Sequence, residues 1–120
     1  MKMENRFSVG VDIVSIERIR SILLSSKRNR FLSKIFSQKE IKDSISKSSE
    51  AQFFAGRFAA KEAVKKATSS KSSTSLRSFK SIEIVNHKSG KPIVKTSNCQ
   101  SIELSISHDG NYAIAFCVTT

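Results

Sequence analysis

Asp12, Glu62, Lys66 and His108 are the side chains of this sequence best suited to chemistry. Two carboxylates with lysines nearby suit a magnesium-bound phosphate. Magnesium takes one or two carboxylates and completes its shell with water and substrate oxygens. Lys66 can then neutralise a phosphate oxygen. His108 ends a predicted strand beside a glycine turn, where it can bind phosphate or move a proton near neutral pH. Each residue also has a plainer reading. Glu62 and Lys66 stand at i,i+4 and can form a solvated pair worth roughly 0.2–0.5 kcal/mol. Asp12 can be a turn acid at a strand end, His108 a surface histidine at a hairpin. The run Ser105-Ile106-Ser107-His108-Asp109 contains Ser, His and Asp, but adjacent strand positions point to opposite faces, so it cannot assemble a hydrolase triad.

These residues need elements to hold them. Phe53 to Ala67 is rich in alanine and nearly free of β-branched residues, which predicts a long helix. A spacing of four puts Phe54, Phe58 and Glu62 on one face, with Ala55, Ala59 and Ala63 beside them. Glu62 is thus expected on the driest stripe, needing a cation partner that a metal or Lys66 can supply. Ser49-Glu50-Ala51-Gln52 is a candidate capping box for this helix, and Ser37-Gln38-Lys39-Glu40 another for a short helix from Gln38. Asp12 falls in a strand predicted over Phe7 to Val14. Ser15 can cap a following helix with Glu17 in its first turn and Ile16, Ile19 and Leu23 as its apolar stripe. Thr68 to Ser78 is Ser-rich and reads as a loop. Strands are expected at Ile82–Val85, near Pro92–Val94, along Ile102–Ile106 and from Tyr112 to Val118. Turns fall at Lys88-Ser89-Gly90 and Asp109-Gly110. A strand, then helices, then antiparallel strands is an α+β order.

The chain has 120 residues, read as one domain over residues 1–120. Hydrophobic residues make up 38% and charged residues 26%, the balance of a soluble globular protein. The apolar run Ala113–Val118 is too short to span a bilayer, and Lys2 and Arg6 precede no apolar leader segment, so neither a membrane partner nor export is expected. Cys99 and Cys117 lack metal or disulfide spacing and fit a reducing, cytoplasmic location. The net charge of +11 favours an acidic partner. Arg18, Arg20, Lys27, Arg28, Arg30 and Lys34 cluster with one acid, Glu17. Only Phe31 and Phe36 accompany them, too few for a stacking platform, and no RNP, KH or zinc-finger pattern occurs, so nucleic acid is the weaker choice. On charge alone, a non-catalytic basic module binding nucleic acid or another polyanion stays open.

Taken together, four ordered blocks resemble the holo-acyl-carrier-protein synthases, small phosphopantetheinyl transferases. They are Val9-Gly-Val-Asp-Ile-Val-Ser-Ile-Glu-Arg-Ile19, Phe54-Ala-Gly-Arg-Phe-Ala-Ala-Lys-Glu-Ala-Val-Lys-Lys-Ala67, Gly90-Lys-Pro92 and Ser105-Ile-Ser-His-Asp109. The resemblance implies a long helix packed on a small antiparallel sheet. It implies transfer of the phosphopantetheine arm of coenzyme A to a serine of an acidic apo acyl carrier protein. Asp12 and Glu62 would hold Mg2+, Lys66 would reach the phosphates, and Ser107 and His108 would contact coenzyme A. A metal-ordered water, Glu62 or His108 could accept the serine proton. Arg18, Arg30 and Lys34, with Phe31 and Phe58, would dock the carrier. A homotrimer with sites between subunits is also implied. Where the family has a glycine-containing turn after its long helix, this chain reads Thr68-Ser69-Ser70-Lys71.

Overall fold

Small residues decide how the first strand meets the long helix. In the computed structural model, which describes residues 7–69, 78–95 and 101–120, strand β1 (Ser8–Ser15) crosses helix α4 (Glu50–Thr68). A Cβ on Gly10 would lie 2.0 Å from the Ala63 carbonyl oxygen and 2.9 Å from the Ala67 nitrogen. Both obstacles are backbone, so only glycine fits this crossing. Ala59, Ala60, Ala63 and Ala67 are fully buried and present the flat surface on which the strand lies.

β1 joins β5 (Tyr112–Thr119) and β4 (Ile102–Asp109) in an antiparallel sheet of order β1-β5-β4. Its register sets Asp12 and Ile106 on either side of Ala115, and His108 beside Ala113. A second hairpin pairs β2 (Glu83–Asn86) with β3 (Pro92–Lys95). Both sharp turns carry glycine at positive φ, Gly90 at 92° and Gly110 at 57°. The sheet turns Gly10, Ala113, Ala115 and Cys117 toward α4, together with Val14 and Leu104, and leaves a second set of apolar residues outside. Val9, Val11, Ile13, Tyr112, Ile114 and Phe116 are all exposed, at 41% to 61%. A contiguous apolar face of this kind on a sheet is the mark of an interaction surface.

The helices follow local rules where those rules are strong. Ser15 caps α1 (Ile16–Leu23) by accepting from the Arg18 amide. The predicted box at Ser37 and Glu40 is complete and opens α3 (Gln38–Ser44). At the other predicted box, Ser49 accepts from the Gln52 amide, which is the serine half of the motif. Helix α2 (Arg28–Ile35) was not foreseen, because it has neither a side-chain cap nor an acid in its first turn. It is held from outside. Leu32 and Ile35 are buried, and Arg28 forks onto Glu50 at 2.7 and 3.0 Å. That hydrogen bonding lowers the Glu50 pKa and raises that of Arg28. Of the Ser-rich loop expected from Thr68 to Ser78, Thr68 closes α4 and Ser78 precedes a 3-10 turn (Phe79–Ser81); residues 70–77, including Ser70 and Lys71, lie outside the described residues. Among the described residues no helix is long and apolar enough to cross a membrane.

Glu62 does not occupy the driest stripe. Phe54 is buried, Phe58 half-buried, and Glu62 half-buried on a flank. An i,i+4 row advances about 40° around a 3.6-residue helix, so two steps carry Glu62 about 80° from Phe54. The fully buried charge is its neighbour Lys61. Lys61 Nζ lies 2.8 Å from Glu40 Oε1 and donates to the carbonyls of Phe79 and Ile82, at 2.9 and 2.7 Å. Glu40, equally buried, also accepts from the Ser37 and Ile84 amides at 2.8 Å. Burial pulls the Lys61 pKa down, against the opposing effect of the hydrogen bond it donates to Glu40. One ion pair thereby joins α3, α4, the 3-10 turn and β2. Removing one partner of a buried pair leaves an uncompensated charge. Lys61→Met is therefore expected to cost about 3–5 kcal/mol, read as a lowered urea midpoint, and adding Glu40→Gln should recover part of it.

Candidate functional site

Along β1, Asp12 follows Gly10 on the face turned to α4, and there it meets Lys66. Lys66 Nζ lies 3.2 Å from Asp12 Oδ1 and donates to the Val11 carbonyl at 3.0 Å. Glu62 stands one turn before Lys66 on the same flank of α4. It is half-buried, and among the described residues it has no ion-pair partner. The structure thus sets Asp12 against Lys66, with Glu62 one helical turn before that lysine on α4. The i,i+4 pairing of Lys66 with Glu62 is not what forms; Lys66 reaches across to the strand. Among the described residues no three metal-ligating side chains cluster. Two carboxylate donors do fit a hard cation that takes the rest of its shell from water and substrate oxygens.

His108 lies elsewhere. It projects from β4 onto the face turned to α4, where a Cβ on Gly56 would stand 3.0 Å from its Nε2 atom. Gly56 is about two turns before Glu62, or about 9 Å along the axis, and the two flanks are well apart around the helix. The structure therefore does not bring His108 to Asp12 and Glu62 within one chain. His108 instead edges a cleft of about 300 Å³ that also holds Lys47, Phe53, Arg57, Asn86 and Pro92. Gly90 lines it too, so the Gly90-Lys91-Pro92 run sits at its mouth. Arg57 is the cleft's buried cation. Its guanidinium stacks on Phe53 at 4.6 Å and donates to Asn86 at 3.2 Å. Its Nε has no hydrogen-bond partner among the described residues. Burial lowers the Arg57 pKa, with Glu40 and Asp43 opposing the shift. A cleft with cations and an aromatic wall is equipped for a phosphorylated, flat ligand.

Arg57, Lys47 and Asn86 were not singled out in the sequence. The available signal was a lone arginine inside Phe54-Ala55-Gly56-Arg57-Phe58-Ala59, a cation that an apolar run has to bury against something. Ser107 alternates with His108 and faces the outer side of the sheet beside Ile114, away from the cleft of its own chain. Of the residues assigned to docking, Arg18 is exposed on α1, and Arg30 and Lys34 are exposed on α2; none has an ion-pair partner among the described residues. Phe31 and Phe58 are half-buried and meet each other, with ring centroids 6.0 Å apart. They join an aromatic seam through Phe36 and Phe79, so they belong as much to the core as to a surface.

Comparison with known proteins gives the family and the fold. The profile of the 4′-phosphopantetheinyl transferase superfamily matches residues 8–117. A holo-[acyl-carrier-protein] synthase from Clostridium perfringens is 40% identical over 126 aligned positions, covering 92% of this chain and 90% of that protein. The structure superposes on that of a Bacillus anthracis holo-(acyl-carrier-protein) synthase in complex with CoA (3′,5′-ADP), with a TM-score of 0.80, 35% identity, and coverage of 93% and 94% of the two chains. It also matches a Chronobacterium ammoniagenes ACPS-CoA complex, with a TM-score of 0.81, 28% identity, and coverage of 96% and 97%.

Gly56 allows a direct check of the cleft. In Gly56→Ala the new methyl group sits 3.0 Å from the imidazole and 3.2 Å from Ile106 Cγ2, so the His108 ring must turn. Alanine is also the better helix residue by about 0.5–1 kcal/mol. The variant is expected to keep its melting temperature while the His108 ring resonances shift in NMR spectra.

Proposed function

Because the chain belongs to the 4′-phosphopantetheinyl transferase superfamily, we propose that it moves the phosphopantetheine arm of coenzyme A onto a serine of an apo acyl carrier protein. The carrier hydroxyl oxygen forms a bond to the phosphorus that bears the pantetheine arm. The bridging P–O bond of the diphosphate breaks, and adenosine 3′,5′-bisphosphate leaves with the electron pair. Glu62 and His108 are the side chains able to take the serine proton.

The observation that carries this reading is Asp12 held against Lys66 one turn from Glu62, a site for diphosphate oxygens. Asp12 and Glu62 would hold Mg2+, which when bound would supply positive charge to the diphosphate. Lys66 can leave its 3.2 Å pairing with Asp12 to meet a phosphate oxygen. The cleft of Arg57, Lys47 and His108 suits the adenosine and its 3′-phosphate, with Phe53 and Pro92 as flat apolar walls. A purely basic binding module gives no role to two acids beside a lysine.

The homotrimer is part of the proposal. Within one chain the acid pair and the His108 cleft lie on different flanks of α4, and the outer sheet face is apolar and open. Packing that face against other copies would cover it and can bring one copy's cleft to another's acids. The exposed cations Arg18, Arg30 and Lys34 suit an acidic carrier, whose encounter would be fast and salt-sensitive. A cytoplasmic location fits the buried free thiol of Cys117, whose pKa burial pushes up to about 11.

Mass spectrometry of apo carrier incubated with the protein, coenzyme A and magnesium tests the reaction. The carrier should gain the mass of one phosphopantetheine group. Asp12→Ala and Glu62→Ala should each lower kcat/KM by roughly 100-fold or more while the circular dichroism spectrum is unchanged. Full activity in either variant would remove the metal assignment. If sites are shared between copies, mixing inactive Asp12→Ala and His108→Ala chains under subunit exchange should restore transfer; no recovery would place each site within one chain.

A further inference from the structure

The hairpin turn that follows His108 also builds the start of α1. A helix begins with amide groups that lack intrahelical partners. In α1 the first three are Ile16, Glu17 and Arg18. Ile16 donates to the Asn111 carbonyl oxygen at 2.7 Å, and Glu17 donates to Asn111 Oδ1 at 2.8 Å. Arg18 donates to Ser15 Oγ at 3.1 Å, and that oxygen also accepts from Asn111 Nδ2 at 3.0 Å. A single residue thus satisfies two of these amides and orients the acceptor of the third. Asn111 can reach them because Gly110 turns at φ 57° and Ser15 pairs with Tyr112. At eight residues, α1 is too short to hold itself in place.

We propose that Asn111 is a positioning residue that fixes the basic side of α1, and above all Arg18, relative to the hairpin carrying His108. The proposal rests on the reading of α1 as part of the carrier-docking surface. Asn111 lines none of the clefts described and touches neither Asp12 nor Glu62 in any recorded contact, so its influence runs through α1. Aspartate at this position keeps the acceptor for Glu17. The Ser15 hydroxyl can donate to it, and its negative charge suits a helix N-terminus. Alanine keeps only the backbone acceptor.

The test compares wild type, Asn111→Ala and Asn111→Asp, all checked for folding by circular dichroism, in the mass-shift assay with carrier and coenzyme A varied in turn. Asn111→Ala should raise the KM for carrier about tenfold, with kcat and the KM for coenzyme A changed by less than about twofold. Amide hydrogen exchange at Glu17 should quicken in the same variant. Asn111→Asp should return the carrier KM close to wild type. An active wild type with an unaltered carrier KM in Asn111→Ala overturns this proposal alone. So does an equal rise in both KM values, or an aspartate variant no better than alanine. A wild-type chain that leaves the carrier mass unchanged overturns the transferase reading and this proposal with it.

Discussion

The contact of backbone with backbone where β1 crosses α4 governs the rest of the molecule. Without a side chain at Gly10 and with alanines beneath it, strand and helix approach more closely than ordinary side chains permit. That closeness lets Lys66 reach from the helix to both Asp12 and the Val11 carbonyl. It also dictates the unusual division of the sheet. Where β1 and β5 lie on the helix, the facing side is lined with small residues at Gly10, Ala113, Ala115 and Cys117, and Val9, Val11, Ile13, Ile114 and Phe116 are left on the other side. The Asp12–Lys66 contact on one flank and the open apolar face of the sheet are two results of the same packing requirement.

The opposite flank of α4 follows a different rule. There the helix buries charge, with Lys61 between Glu40 and two carbonyl oxygens and Arg57 against Phe53. Buried charges demand partners with good geometry. The donors of Lys61 and the acceptors of Glu40 tie together α3, α4, the 3-10 turn and β2. This rigid side carries the hairpin that walls the cleft, so a position far from the acid pair is held as firmly as the pair itself.

Sequence reasoning reached most of this architecture because its signals were local. The Ser37–Glu40 box, the Ser15 cap, the Asp109-Gly110 turn and the alternation down β5 each act within a few residues. The blocks around Asp12 and Glu62 also made the family legible. What escaped depended on partners distant in the chain. Helix α2 lacks a cap and is secured by Glu50, 22 residues away. Lys61 looks like a solvent lysine until Glu40 and the carbonyls of Phe79 and Ile82 are placed around it. Glu62 leaves the stripe that its spacing predicts because a row of fours winds around the helix rather than running parallel to its axis.

The pairing of β1 with β5 has a consequence for biosynthesis. Ser8 lies opposite Thr119, so β1 emerges from the ribosome about a hundred residues before β5, its strand partner among the described residues. Helices α1 to α4 can form meanwhile, but the crossing at Gly10 has no sheet behind it until β5 has been made. Such distant pairing slows folding and prolongs the exposure of sticky strand residues. Nascent β1, with Val9, Val11 and Ile13, is the stretch that a chaperone would be expected to shield.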